Sequence, residues 1–337
     1  MRTRRGRGDR KVNGTAIKST ATLDEFFSRH YGERWPVLRK ALCEPAARKA
    51  VLWNRFCQLP FEDAMPNARR ADPGLLLQIF YPTDGEEFLP QTSDAFSVRA
   101  HCPLDYATAV ILEHLDVGSF DCVLDMCAGT GGRAVAISQL LSSDASFTVN
   151  EQRSDRCARL RRLLKEYVPI NYVNVTVTQR NAETWYEPSA YHRVFLDAPC
   201  TNERQILQQC RGAPVSAHQW SLKACSDASR AQRSLLLRAI ETCRPGGRVL
   251  YTTCSLCPVE NDDVVCEALR VTRCHAEVLS LQVRIGERTR FGFIILPDRC
   301  EGHGPLYCCV IHKVSDKRES SEEDDGASTN DTESDRT

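Results

Sequence analysis

Residues 123–132, VLDMCAGTGG, constrain the fold more than any other stretch of the chain. Apolar residues run into Asp125, and three glycines, Gly129, Gly131 and Gly132, open onto RAVAISQLL. This order predicts a β-strand turning sharply into a helix. Glycine reaches positive φ and lets a ligand lie close to the backbone. The free N–H groups of a helix start can meet a carboxylate or phosphate. No GK[ST] follows, which argues against a Walker-type phosphate loop. The glycines do not read GxGxxG, the nicotinamide fingerprint.

Beyond the turn, short apolar runs alternate with helical patterns. Strands are expected at Ser146–Val149, Asn174–Gln179, His192–Leu196 and Arg248–Tyr251, and helices at Arg133–Leu141, Arg156–Tyr167 and Asp227–Cys243. Alternation of this kind implies a doubly wound α/β sheet. Chemistry in such sheets gathers at the carboxyl ends of the strands, where Gly129, Glu151, Asn181, Asp197 and Cys254 fall. Glu151, ending the second strand, can accept both hydroxyls of a ribose, whether of NAD or of an adenosyl group. Asp125 can face the cationic end of S-adenosylmethionine. Further strand-like segments are Arg270–Val283, Phe291–Leu296 and Tyr307–His312.

Four regions are expected along the chain. Residues 1–20 hold seven basic residues and one acid, and read as a targeting segment, a nucleic-acid tail or a nuclear signal. Residues 21–100 form an N-terminal helical region: Leu23–Phe61 reads as two or three helices, with LLLQIFY as a buried element among the prolines that follow. Residues 101–315 form the α/β domain, entered through a helix at Tyr106–Leu115. Residues 316–337 are acidic and serine-rich without an apolar anchor, and are expected to be disordered.

Composition sets limits on function. Between the two charged ends, 36 basic residues meet 35 acidic ones, so a nucleic-acid site there must be a local patch. No run of eighteen apolar residues offers a helical membrane span. The 17 cysteines lack the spacing of a disulfide framework, which fits a reducing compartment. Cys254-x-x-Cys257 has no second pair with which to complete a zinc site, so no metal is expected.

Two segments carry the chemistry: Asp197-Ala198-Pro199-Cys200, and Thr252-Thr253-Cys254-Ser255 continuing through Cys257 to Glu260-Asn261. Here the chain resembles the NOL1/NOP2/Sun family of RNA cytosine-5 methyltransferases. The family's DxCAAPGGK stands as DMCAGTGGR, its DxPC as DAPC and its TCSxxPxEN as TCSLCPVEN, and QRSLLLRAIETCRPGGRVLY leads into the last of these. Asn150-Glu151 with Arg156 resembles the family's ribose-binding strand end. The resemblance runs from about Tyr106 to Asn261 and continues more weakly to about residue 313. It implies a Rossmann-like methyltransferase sheet using S-adenosylmethionine, held by Asp125, Cys127, Ala128, Gly129, Thr130, Gly131, Gly132, Arg133, Glu151, Arg156, Asn181 and Asp197.

C5 of cytosine is too weak a nucleophile to take a methyl group from a sulfonium directly. A thiolate adding at C6 makes C5 enamine-like. The resemblance assigns this role to Cys254, contact with N3 and the exocyclic edge to Asp197, and assistance in release of the thiolate to Cys200. A rival assignment makes Cys200 the nucleophile, as in DNA cytosine-5 enzymes. The target base must leave its stack, which costs least in looped RNA. Departures from the family pattern are Thr130 for proline, Arg133 for lysine and Asn181 for aspartate. They leave open an inactive ribosome assembly factor.

The opening LDEFFSRHYGERWPVLRKAL and the segment DAPCTNERQIL resemble mitochondrial ribosomal-RNA members. This implies structured rRNA as substrate and a mitochondrial location, with mitochondrial tRNA and the nucleus or nucleolus as alternatives. It also implies a helical-repeat protein partner or docking within a ribosome precursor.

Overall fold

The structure, a computed structural model, describes residues 21–317 apart from 45–48, 85, 170–171 and 212, together with a backbone ladder of Lys11–Val12 against Thr15–Ala16. The basic segment expected at 1–20 and the acidic tail from residue 318 lie outside the residues described with their side chains.

Two helices come first, α1 (Leu23–Tyr31) and α2 (Trp35–Cys43). Thr22 and Glu25 close a reciprocal capping box on α1. Leu23, Phe26 and Phe27 turn inward, and both Phe rings pack 5.5 Å from the Trp220 ring. Arg34, between the helices, donates to Asp298 and Glu287 and so ties this end of the chain to the C-terminal strands.

The helical expectation fails at Val51. Strands β1 (Val51–Trp53), β2 (Ala68–Arg70), β3 (Ile79–Pro82) and β4 (His101–Pro103) form a four-stranded antiparallel sheet in the order β2-β3-β1-β4. Val51, Leu52 and Trp53 are all buried, and a β-branched and aromatic run of three covers both faces of a short strand better than one helical turn can. The division expected at residue 100 runs through this sheet, because β4 pairs with β1.

The main sheet is built from β5 (Cys122–Asp125), β6 (Ser146–Asn150), β7 (Asn174–Thr178), β8 (Tyr191–Asp197) and β9 (Cys243–Thr253), all parallel, in the order β7-β6-β5-β8-β9. The long β13 (Leu306–Ser315) pairs antiparallel with β9, and β10 (His275–Val278), β11 (Glu287–Arg288) and β12 (Phe293–Ile295) complete that edge. Helices α3 (Tyr106–Leu112), α4 (Gly132–Ser138), α5 (Ser154–Tyr167), α6 (Glu203–Cys210), α7 (Leu222–Thr242) and α8 (Asp262–Val271) connect and cover the strands. This is the expected doubly wound sheet, whose N-terminal extension is two helices followed by the four-stranded sheet. Because the chain moves outward through β6 and β7 and then resumes at β8, the order reverses between β5 and β8. A ligand crevice opens at such a reversal.

Three boundaries differ from expectation. Helix α7 begins at Leu222, since the Ser221 hydroxyl caps it at the Ala224 N–H. The strand expected from Arg270 is the end of α8, with only His275–Val278 extended. Asp316, placed in the disordered tail, is held by Lys313 Nζ at 2.8 Å and by Ser189 Oγ at 2.6 Å. The buried Lys313 ammonium needs that anion.

Candidate active site

The glycine turn joins β5 to α4. Gly131 sits at φ +99°, which favours glycine, and a Cβ there would also press on Leu160 Cδ1 of α5 at 2.7 Å. Ala128, Gly129, Thr130, Gly132, Arg133 and Asp197 line a cavity of about 610 Å3. Arg153, Arg156 and Arg159, from the loop before α5 and its first two turns, line it too, with Asp105 and Asp155.

Asp125 and Asp197 end adjacent strands, paired through Phe195 opposite Asp125. Asp125 is fully buried and neither carboxylate oxygen makes a hydrogen bond of good geometry. Burial, and then the Asp197 charge, push its pKa up to about 8, against the Arg133 charge and the Cys127 amide. An ionisable group stranded in this way at a strand end is suited to an incoming cation. Asp197 is braced from two sides: Arg133 Nη1 pairs with Oδ2, and the Thr252 hydroxyl donates to Oδ1 at 3.1 Å. Burial works against the Arg133 charge, but Asp197, Cys254, Asp125 and Cys200 together keep its pKa above the ordinary value.

The two sulfurs, Cys200 Sγ and Cys254 Sγ, lie 2.7 Å apart. The spacing of TCSLCPVEN explains how Cys254 is held. Asn261 folds back so that its Oδ1 accepts the Thr253 hydroxyl at 2.6 Å while its Nδ2 donates to Ser255 O at 2.9 Å. Tyr251 Oη donates to the Glu260 carbonyl at 2.6 Å. On the other loop, Gln232 Nε2 of α7 donates to Pro199 O at 2.8 Å. The thiol of Cys200 has its pKa driven well up, first by its hydrogen bond to Cys254 and then by burial. Burial likewise raises the Cys127 thiol, which fits a backbone contribution to the glycine turn.

The remaining sequence candidates are more dispersed. Glu151 is buried, and one oxygen accepts the Arg153 N–H at 2.7 Å. Its neighbour Asn150 uses its whole amide on the scaffold, donating to Met126 O and Arg180 O and accepting from Thr178 and Arg180 N. Asn181 is exposed, caps a short turn at the Glu183 N–H, and does not line the cavity. Sequence reasoning missed Arg153 and Arg159 on the rim. It also missed Glu203, a buried acid behind the thiols that a helix's first turn makes look like an ordinary dipole-facing residue.

The family profile described as 16S rRNA methyltransferase RsmB/F matches residues 112–308. The chain belongs to this family. The match spans the sheet from the end of α3 to β13, and places the chain among the NOL1/NOP2/Sun methyltransferases. One curated relative is the 5-cytosine rRNA methyltransferase NSUN4 of Xenopus tropicalis, 28% identical over 249 residues, covering 68% of this chain and 61% of that protein. Another is the mitochondrial tRNA (cytosine(34)-C(5))-methyltransferase of Mus musculus, 26% identical over 322 residues, covering 86% and 90%. The chain therefore spans about three fifths of the length of the frog relative and most of the mouse one. The crystal structure of NSun6 from Pyrococcus horikoshii with SFG shares the fold, with TM-score 0.71, 17% identity and coverage of 88% of this chain and 98% of that one.

Proposed function

We propose that this chain is an S-adenosylmethionine-dependent RNA cytosine-5 methyltransferase acting on structured ribosomal RNA in mitochondria. The observation that carries the reading is the facing pair of thiols, Cys200 and Cys254, next to Asp197 and Arg133, which with the glycine turn line the cavity.

The residues present fit the methyl donor. Asp125, buried without a good hydrogen bond, suits a cationic amino or sulfonium group, the turn at Gly129–Gly132 gives close backbone approach, and Glu151 suits the ribose hydroxyls. When bound, S-adenosylmethionine supplies an electrophilic methyl group. Arg156 borders the same cavity; the resemblance gives Asn181 the adenine amino group, and that contact needs its amide oxygen to leave the Glu183 N–H it caps.

Cys254 adds as a thiolate to C6 of the target cytosine, and C5 becomes nucleophilic. Cys200, whose pKa is raised by the Cys254 hydrogen bond and by burial, suits the proton-holding side of the sulfur pair, and Cys254 the side that takes negative charge as it attacks. The Arg133 cation favours that charge. Asp197, held by Arg133 and Thr252, meets N3 and the exocyclic amino edge of the base. After C5 accepts the methyl group, loss of the C5 proton to a base breaks the C6–S bond and returns the Cys254 thiolate. Cys200, 2.7 Å away, assists that release.

Arg156 and Arg159 place positive charge on the rim, where phosphates flanking a flipped base would pass, while Arg153 there is paired with Asp155. The near-neutral body makes this a small footprint, in keeping with a helical-repeat partner or a ribosome precursor that supplies further RNA contacts. A tRNA substrate is the second reading, since a mouse tRNA enzyme stands among the relatives beside the rRNA ones. Bisulfite sequencing of total RNA with and without the protein tests both. Loss of one cytosine-5 mark, restored by wild type and not by Cys254→Ala, is the expected result. Rescue of ribosome assembly by Cys254→Ala with no mark changed anywhere would instead identify a scaffold.

A further inference from the structure

A buried knot of hydrogen bonds lies behind the two thiols, and none of the methyl-transfer steps calls on it. Glu203 opens α6 and Glu260 follows the Cys254 turn; neither is exposed to solvent. Glu203 Oε1 lies 2.7 Å from Thr201 Oγ1, 3.1 Å from Trp220 Nε1 and 3.3 Å from Ser255 Oγ, while Oε2 accepts the Leu256 N–H at 2.9 Å. Glu260 Oε1 lies 2.5 Å from Thr201 Oγ1 and 2.9 Å from Ser255 Oγ, while Oε2 accepts the Thr201 N–H at 3.1 Å and a Gln232 Nε2 hydrogen at 2.8 Å.

Four hydroxyl–carboxyl contacts thus share only two hydroxyl protons. One further proton, on a carboxyl, completes a directed chain: Glu203 donates to Thr201, Thr201 to Glu260, and Ser255 to Glu260. The contact left over, Ser255 to Glu203, is the longest of the four at 3.3 Å. Burial, and then the Glu260 charge, raise the Glu203 pKa, which favours that residue as the holder of the proton. A carboxylic O–H also accepts the Trp220 N–H on the same oxygen that donates. Oxygens of both acids and Cys225 Sγ lie within 4.8 Å of one another, a spacing open to a metal ion. Their lone pairs, however, already receive Trp220, Leu256, Thr201 and Gln232 donors, so a proton is the better occupant.

Thr201 follows Cys200 directly, and Ser255 follows Cys254 directly. We propose that Glu203, in its protonated form, is a positioning residue: it closes the hydrogen-bond chain that ties Thr201 to Ser255 and thereby sets Cys200 against Cys254. Its catalytic consequence rests on the methyltransferase reading, but the geometry does not.

The test reads the thiol spacing without RNA or methyl donor. Brief treatment of the full chain with a diazene oxidant such as diamide couples two thiols to a disulfide, the diazene taking both hydrogens to become a hydrazine. The Cys200–Cys254 bridged peptide is then quantified by mass spectrometry. Glu203→Gln replaces an oxygen that both gives and takes a proton with an amide that turns an N–H on either Trp220 or Leu256. Ser255→Ala removes the bridging hydroxyl together with the acceptor of the Cys257 N–H. Both variants are expected to form the bridge roughly tenfold more slowly than wild type, the scale of one broken buried hydrogen bond, while the melting temperature falls by only a few degrees and S-adenosylmethionine affinity changes little. With RNA, kcat falls and the RNA KM holds. Wild-type bridging in both folded variants overturns the proposal, and if Glu203→Gln does not fold, Ser255→Ala decides alone. A chain that bridges as expected yet methylates no RNA refutes the functional reading and leaves the positioning role standing.

Discussion

Arg133, in the first turn of α4, reaches across the crevice to pair with Asp197 at the end of β8. The pair joins the glycine turn to the loop that carries Cys200. It also puts a cation among the Asp125, Asp197, Cys200 and Cys254 side chains. At this position the family's lysine is replaced by a planar fork, which holds a carboxylate in one orientation instead of as a point charge. Truncating it to Arg133→Ala is expected to lower kcat by roughly a hundredfold, the scale of one lost preorganised charge contact. Arg133→Lys is expected to recover part of that loss. Single-turnover methylation, with cofactor affinity measured alongside, checks both.

Cys254→Ala should abolish methylation and leave cofactor binding nearly intact. Cys200→Ala should allow addition to C6 and slow release, leaving protein covalently trapped on RNA. Denaturing gels of each variant incubated with RNA and S-adenosylmethionine separate the two roles. Equal residual turnover by both variants, with no trapped species, would contradict the assignment.

Asp125 carries a definite pH signature. Its folded-state pKa, about 8, stands above the ordinary 3.8, so between these values the folded protein holds a proton that the unfolded chain has released. Stability of the ligand-free protein therefore falls as pH rises through that window. Binding of a cationic donor requires the carboxylate, so affinity for S-adenosylmethionine should rise with pH up to about 8, with proton release on binding. Asp125→Asn should flatten both dependences and weaken binding. Calorimetric titration in buffers of different ionisation enthalpy, and melting curves across the same pH range, test the sign.

Arg159 lines the cavity rim without an ion pair among the described residues, whereas Arg153 is paired with Asp155. Arg159→Ala should raise the RNA KM several-fold, leave S-adenosylmethionine affinity unchanged, and lower the slope of log affinity against log salt by about 0.7–0.9 for each lost phosphate contact. An unchanged salt slope would place the RNA elsewhere.

Much of the site is legible in the amino-acid order alone. DAPC and TCSLCPVEN place their cysteines just past strands because a strand end leaves its side chains free to face a crevice. The glycine turn is legible for a similar local reason: Gly131 needs positive φ, and glycine is the residue that adopts it without cost. Residues 51–103 are not legible in this way. Val51–Trp53 suits a helical turn or a buried strand, and what decides it is pairing with Ile79 and Cys102, far along the chain.

Alternation of apolar runs, glycine punctuation and motif spacing are short-range patterns, and they were enough to determine the parallel sheet, the turn and the two cysteine loops. Which groups meet across the crevice was decided only by tertiary structure. Arg133 finding Asp197, Asp125 left without a good donor, and Glu203 buried against Glu260 each depend on strands and loops brought together from distant parts of the sequence. The physical reason is that a charge takes its pKa and its partners from its surroundings in space, and neighbours along the chain do not specify those.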